Sequence, residues 1–137
     1  RIIDHASGWH DRGVGDINSF HIYFTPFVFP KFSKNDRRVT ALTEFGGYSM
    51  SIDGHRFNTE KTFGYKIFKD KDKLSAALRH LYLDRIKPLI HSKGLSALVY
   101  TEVSDVEDET NGLLTFDREI VKVGIDFMRE INEQIKL

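Results

Sequence analysis

The sequence predicts an α/β fold with parallel strands, on two observations. In the second half of the chain, strand-like segments alternate with long amphipathic ones, an order typical of strand–helix–strand units. Residues 95–100 form a continuous apolar run, as in strands covered on both faces. The spacing suits a (β/α) barrel, but eight such units need roughly 250 residues, so 137 residues would supply about half. A small open α/β sandwich, complete in itself, is the alternative.

Four segments are predicted to be strands. Residues 16–24 alternate loosely and are rich in aromatic and β-branched side chains, which favours a strand. Pro26 and Pro30 then interrupt regular structure. The other three candidates are residues 1–6, residues 39–44 and residues 95–100, the last with Val103 as its furthest limit.

Two helices follow the last two strands. The first spans residues 71–91; Pro88 is expected to end or kink it, and Gly94 suits the position just past its end. The second spans residues 117–136, with Thr115 or Asp117 as the cap. Apolar side chains recur at spacings of three and four: Leu74, Leu78, Leu81, Tyr82 and Leu89, then Ile120, Phe127, Met128, Ile131 and Ile135. Residues 50–69 are polar and predict a long loop.

Composition excludes several classes of function. Twenty basic residues balance twenty acidic ones, so no bulk field attracts nucleic acid or an anionic membrane, and no apolar run approaches a membrane span. The chain has no cysteine, which excludes a thiol nucleophile and a thiolate metal site. It starts at Arg1 without an initiator methionine or a signal-peptide pattern. Because this start resembles the middle of a strand, we expect a piece of a longer protein. A cytoplasmic location is a separate prediction that the missing cysteines do not decide.

A glutamate near the end of the third strand is the most informative residue. Glu44 closes a run of strand-forming residues, and Gly46 and Gly47 follow closely. A carboxylate at the exit of a buried strand, with little bulk after it, allows a ligand to approach closely. The alternative is a solvated loop glutamate beside glycines that serve a tight turn with positive φ.

The neighbourhood of this glutamate resembles a known family. Residues 43–47 (Thr-Glu-Phe-Gly-Gly) pair with residues 100–118 (Tyr-Thr-Glu-Val-Ser-Asp-Val-Glu-Asp-Glu-Thr-Asn-Gly-Leu-Leu-Thr-Phe-Asp-Arg). Together with residues 7–9 (Ser-Gly-Trp), 14–17 (Val-Gly-Asp-Ile) and 21–23 (His-Ile-Tyr), they resemble the catalytic domain of family 2 glycoside hydrolases. That family includes β-galactosidases, β-glucuronidases and β-mannosidases.

The resemblance implies a fold and a reaction. The chain would be the C-terminal half of a TIM barrel, with the four predicted strands as strands five to eight. Such a half-barrel exposes two strand edges and an apolar face, so it is expected to self-associate. The reaction would be hydrolysis of terminal β-glycosidic bonds by a retaining mechanism, which needs two carboxyl groups.

The resemblance also implies catalytic roles. Glu44 would be the nucleophile, and Tyr23 would hydrogen-bond it; a core aromatic is the alternative for Tyr23. The acid/base glutamate of the family, preceded by asparagine, would fall before Arg1. The chain alone is therefore expected to be inactive.

Other residues are candidates for substrate binding. His21 shares a strand face with Tyr23 and would bond a sugar hydroxyl, or else be satisfied by its neighbours. Trp9 and Tyr100 would be flat platforms for a sugar ring, or else fill the end of the barrel. In the acidic run 102–109, Glu102 or Asp105 would lie near the substrate. The spacing there is not that of an EF-hand, and the mechanism needs no metal or other cofactor.

The sugar is less well determined. The sequence has no Asn-x-Lys, the motif with which glucuronidases of the family bind the substrate carboxylate. Galactose is preferred, with mannose and glucose left open. One rival is a non-catalytic carbohydrate-binding or assembly module, and another is an enzyme of a related barrel clan.

Overall fold

The computed structural model describes residues 1–6, 8–31, 33 and 35–135. Its centre is a three-stranded parallel sheet of β1 (Ile17–Ile22), β2 (Val39–Gly46) and β5 (Leu95–Thr101). Strand β2 lies in the middle, so β1 and β5 are the edges. These three strands confirm three of the predicted segments, and they pair in parallel.

Two further strands were not predicted. Strands β3 (Tyr48–Ser49) and β4 (Lys66–Ile67) pair in parallel as a separate small sheet. Each has only two residues, so neither offers an alternating pattern long enough to be read from sequence. They lie at the two ends of the polar stretch predicted as a loop, and hold it against the end of β2.

The first predicted helix is confirmed, with an irregularity in its middle. Helix α1 (Lys71–Arg79) begins at Asp70, whose side chain accepts a hydrogen bond from the Lys73 amide. A π-helical segment (His80–Ile86) leads into α2 (Lys87–Lys93). Pro88 lies just after the π-helical segment, inside a helical run that continues from Lys71 to Lys93, and it does not end the helix there. Gly94 stops the helix in the left-handed conformation, with φ of 65°.

The second predicted helix is shorter than expected. Helix α3 (Ile125–Gln134) starts eight residues after the predicted start at Asp117. Asp117 instead accepts hydrogen bonds from the Thr115 hydroxyl and the Glu119 amide, and such local bonds compete with helix formation. The predicted end at Lys136 lies outside the described residues. None of the helices in the described part of the chain is long and apolar enough to cross a bilayer.

The core lies between the central sheet and the α1–α2 helix. Leu42 and Phe45 of β2 are buried against it, and Phe45 meets Tyr82 edge-to-face at 5.2 Å between ring centroids. Leu74 and Leu78 of the predicted helical stripe are almost completely buried. Each such side chain contributes about 1.5–3 kcal/mol by leaving water. This packing fixes β2, the strand that carries Glu44.

The predicted half-barrel is wrong. The described residues form three parallel strands plus a separate two-stranded sheet, with few helices and no closed barrel. Residues 1–6, the remaining predicted strand, do not form a strand, and Ile2 and Ile3 are exposed. The segment is held beside β1 mainly through Ile3, whose carbonyl accepts from the Asp16 and Ile17 amides. Its apolar side chains gain no burial there to offset the entropy of ordering a strand.

Candidate active site

A β-bulge in β2 sets the position of Glu44. Phe20 and His21 are consecutive in β1, yet they pair with Leu42 and Glu44. The register against β5 also shifts between Leu42 and Phe45. One extra residue in β2 therefore lets Leu42 and Phe45 face the core although they are three positions apart. A bulge of this kind re-aims the side chain beside it, and here it turns Glu44 toward β1.

Tyr23 donates a hydrogen bond to Glu44. The Tyr23 hydroxyl reaches Glu44 Oε2 from the residue that follows the end of β1. Burial of the ring, and then the bond to Glu44, raise the pKa of Tyr23 well above its ordinary value, so the hydroxyl stays protonated and can only donate to a carboxylate. The Glu44 side chain is still 43% exposed. The carboxylate is thus both held by a donor and open to a ligand.

His21 approaches the same carboxylate oxygen. Its Nδ1 lies 3.3 Å from Glu44 Oε2, and its side chain is only 5% exposed. The approach lacks hydrogen-bond geometry, so among the described residues neither ring nitrogen has a hydrogen-bond partner. His21, near the end of β1, and Tyr23, the residue after the strand, are two positions apart and meet at one oxygen, as the strand period predicts. The structure therefore brings together three predicted site residues.

The two glycines after Glu44 make room for rings of this chain. Gly46 has φ of +96°, and a Cβ there would lie 2.3 Å from Tyr100 Cε2. Gly47 has φ of +60°, and a Cβ there would lie 2.6 Å from Tyr65 Cδ2. Both explanations offered by the sequence apply, positive φ and close approach, but the approaching groups are aromatic side chains of the protein itself.

The two predicted sugar platforms differ in their surroundings. Trp9 is half exposed, and its ring meets His21 edge-to-face at 5.4 Å between centroids. Tyr100 instead packs against Phe45 and Tyr82, at 5.6 and 6.2 Å between centroids. Burial raises the pKa of Tyr100 strongly. Trp9 is therefore placed to meet a ligand, whereas the Tyr100 ring contributes to the core. Ser7, which precedes this turn, lies outside the described residues.

Asp105 belongs to a buried ion pair. The Lys122 ammonium group donates to Asp105 Oδ1 at 2.5 Å, and the Gly112 amide donates to the same oxygen at 2.8 Å. Lys122 also donates to the Thr110 carbonyl, and its side chain is fully buried. Asp105 therefore has a structural role, because these bonds close the loop that follows β5. Nothing in the sequence around Lys122 indicates that it pairs with Asp105.

Glu102 is the other acidic candidate, and its environment differs. Burial, and then the charges of Glu109 and Asp105, raise the pKa of Glu102 to about 7. Its Oε1 is buried and has no hydrogen-bond partner among the described residues. The Glu102 amide and carbonyl are bonded to Asn111 and Leu113, so the backbone holds the side chain in place. This environment favours the protonated form of the Glu102 carboxyl group.

Aromatic side chains near Glu44 were missed in the sequence. The Tyr65 ring stacks on Tyr23 at 4.2 Å between centroids and 6° between planes. Phe24 and Phe63 contact Tyr65 edge-to-face. The density of aromatic residues between 63 and 68 was a usable signal, but the segment was interpreted only as a polar loop.

One group of side chains among the described residues could hold a metal. His55, Asp117 and Glu119 each offer a ligand atom, and these atoms lie within 4.8 Å of one another. His55 Nδ1 and Asp117 Oδ2 are 2.7 Å apart, a hydrogen-bond distance. The Thr115 hydroxyl and the Glu119 amide hold the pKa of Asp117 at about 2. A direct hydrogen bond between His55 and Asp117 explains this arrangement without a metal.

A large apolar groove of about 670 Å³ lies beside α3 and does not include Glu44. Its lining includes Leu113, Val123 and Met128. Few polar groups converge there, so it lacks the chemistry of an active site. The group formed by Glu44, Tyr23 and His21 is the better candidate, because a carboxylate, a hydroxyl and an imidazole converge there.

Comparison with known proteins does not assign the chain to a family. No protein-family model matches the chain, and no curated protein matches its sequence significantly.

Proposed function

We propose that this chain carries the nucleophile of a retaining exo-β-glycosidase, with a β-galactosidase-like reaction and a carbohydrate substrate. One observation carries the proposal: Glu44 stands half exposed on a strand bulge, with the Tyr23 hydroxyl bonded to it. The resemblance to family 2 glycoside hydrolases, which assigned the same pair, supports it. A cytoplasmic location stays a prediction from the sequence.

The chemistry proceeds in two displacements. Glu44 Oε attacks the anomeric carbon, the bond to the leaving oxygen breaks, and an acid protonates that oxygen. The resemblance assigns that acid to none of the residues of this chain. Water, deprotonated by the same group, then attacks the anomeric carbon and releases Glu44. Tyr23 keeps the carboxylate fixed and its charge stabilised, because a hydrogen bond to an ionised acceptor is stronger than one to a neutral acceptor.

The test is removal of the charge at Glu44 in the intact protein. Glu44→Gln is expected to lower turnover of aryl β-glycosides by at least about a thousandfold, because an amide is a poor nucleophile. Glu133→Gln, on the exposed face of α3, is the matched control and should keep activity. Near-normal turnover by Glu44→Gln would refute the assignment. The 137-residue chain alone should be inactive.

A non-catalytic carbohydrate-binding module is the second candidate. The half-exposed Trp9 favours it, since an exposed aromatic face can carry a sugar ring. It predicts that Glu44→Gln leaves sugar binding by the isolated chain unchanged while Trp9→Ala abolishes it. Titration calorimetry with galactose, glucose and mannose oligosaccharides distinguishes the two candidates.

Self-association is also part of the proposal. Strands β1 and β5 are sheet edges, and Val99 and Val103 on or beside β5 are exposed. Unpaired edges with apolar side chains favour pairing between copies. Light scattering of the isolated chain is expected to show a dimer or larger species, and a strict monomer would contradict this expectation.

A further inference from the structure

A small cavity of about 250 Å³ lies beside the π-helical segment. Three basic side chains line it, those of Lys66, His80 and Arg85, together with several apolar ones. Among the described residues, no carboxylate lines this cavity, and Glu44 is not part of it. The cavity therefore offers positive charge at a place that the proposed reaction does not use.

The π-helical segment brings two of these basic residues to one side of the helix. His80 and Arg85 are five positions apart in it, and in an α-helix such positions point about 140° away from each other. A π-helix instead bonds residues five apart, as the Lys87 amide does with the Tyr82 carbonyl. Such segments are rare and occur frequently at functional sites. The irregularity thus gives the cavity two nitrogen-bearing side chains that a regular helix would separate.

Lys66 faces the same cavity from β4. Its ammonium group lies 5.5 Å from the centroid of the Tyr48 ring and 5.2 Å from that of Phe68. A ring face attracts a cation but does not neutralise its charge. The backbone here is fixed, because Lys66 pairs with Tyr48 and the Phe68 amide donates to the Ser49 carbonyl at 2.7 Å. The charge of Lys66 is therefore held in place without a carboxylate partner.

Arg85 is the second cation without a carboxylate partner. One of its five N–H donors is used, in a bond to the Phe27 carbonyl at 2.9 Å. The neighbouring acid, Asp84, is bonded to His80 Nδ1 at 2.7 Å and does not line the cavity. Within the described part of the chain, neither Arg85 nor Lys66 forms an ion pair. An anionic ligand would neutralise both charges together.

We propose that this cavity binds the phosphoryl group of a small phosphate monoester. Such a group carries a charge of about −1.5 to −2 at pH 7 and three acceptor oxygens, which matches two unpaired cations. A guanidinium group suits phosphate through its paired N–H donors, and an ammonium group acts as a point charge. Phe27 and Leu81 in the cavity wall would contact the organic part. This binding is independent of the chemistry at Glu44.

The experiment compares three small anions. Phenyl phosphate, inorganic phosphate and benzoate are titrated into the intact protein by calorimetry, at neutral pH and one ionic strength. Phenyl phosphate is expected to bind at least about tenfold more tightly than benzoate, which carries a single charge. It should also bind more tightly than inorganic phosphate, which has no organic part to contact the apolar wall.

Three variants locate the binding. Lys66→Met removes the charge but keeps most of the aliphatic stem, and it should weaken phenyl phosphate binding by at least about tenfold. Arg85→Met should weaken it as much, although it also loses the bond to the Phe27 carbonyl. Lys87→Met is the matched control, because Lys87 is exposed on the same helical run and does not line the cavity. It should leave the affinity unchanged.

Four results would overturn the proposal. They are the absence of phenyl phosphate binding, equal affinity for benzoate, equal affinity for inorganic phosphate, and a folded Lys66→Met variant that binds phenyl phosphate as tightly as the unaltered protein. Thermal unfolding of each variant establishes that it is folded. Because Glu44 does not line the cavity, each of these results leaves the proposed nucleophile standing.

Discussion

Replacing Tyr23 with phenylalanine removes one oxygen atom from the candidate site and leaves the ring in place. The ring is buried and stacks on Tyr65 at 4.2 Å between centroids, so the variant should fold with little change in stability. The loss is the hydrogen bond that the Tyr23 hydroxyl donates to Glu44. A bond to a charged acceptor contributes about 1.5–3 kcal/mol. At about 1.4 kcal/mol per factor of ten, kcat is expected to fall roughly 10- to 150-fold.

The assay is kcat of the intact protein on 4-nitrophenyl β-glycosides, with thermal unfolding measured alongside. Tyr65→Phe is the matched control, because it deletes the same atom from the other ring of the stack. Its kcat should stay within about threefold of the unaltered protein. A Tyr23→Phe variant with unchanged melting temperature and kcat within about threefold would refute the role of this bond in catalysis.

Three further predictions concern the structure around the site. Lys122→Met should destabilise the protein by about 3–5 kcal/mol in urea unfolding, because it leaves a buried charge on Asp105 without its partner. The double variant Lys122→Met/Asp105→Leu should recover most of this stability. A double variant as unstable as Lys122→Met would contradict the ion-pair account. Because burial raises the pKa of Glu102 from 4.5 to about 7, its contribution to stability is complete below pH 4.5 and is lost as pH rises through 7. Glu102→Gln should remove roughly 1–2 kcal/mol of this pH dependence, a value discounted for solvent screening; identical pH–stability curves would count against the buried carboxyl. Gly46→Ala should lower the free energy of unfolding by about 2–4 kcal/mol in urea unfolding, because its Cβ would lie 2.3 Å from the Tyr100 ring. Gly54→Ala is the control: Gly54 has φ of +83° and nothing within 4 Å of the added Cβ, so the loss should be only about 1–2 kcal/mol. Equal losses in the two variants would show that the ring clash is absent.

The strand that carries Glu44 could be predicted, but its geometry could not. The β-branched residues of β2 indicated a strand, and the period of two placed His21 and Tyr23 on one face. The bulge that turns Glu44 toward them depends on register against β1 and β5. Register is a property of paired strands, and local sequence did not specify it.

The errors have the same origin in non-local contacts. Residues 1–6 have strand composition, yet Ile2 and Ile3 find nothing to bury them. The pairing of Lys122 with Asp105 spans 17 positions, and no periodicity in the sequence connects them. Sequence patterns predicted single elements well, whereas the number of strands in the sheet was set by tertiary packing.

Trapping the glycosyl-enzyme tests the central claim most directly. The intact protein is incubated with 2,4-dinitrophenyl 2-deoxy-2-fluoro-β-glycosides of galacto, gluco and manno configuration, and the labelled peptide is mapped by mass spectrometry. The account predicts a single fluorosugar on Glu44, which would identify both the nucleophile and the preferred sugar. A label on a different residue, or no label on the folded protein from any of the three reagents, would contradict it.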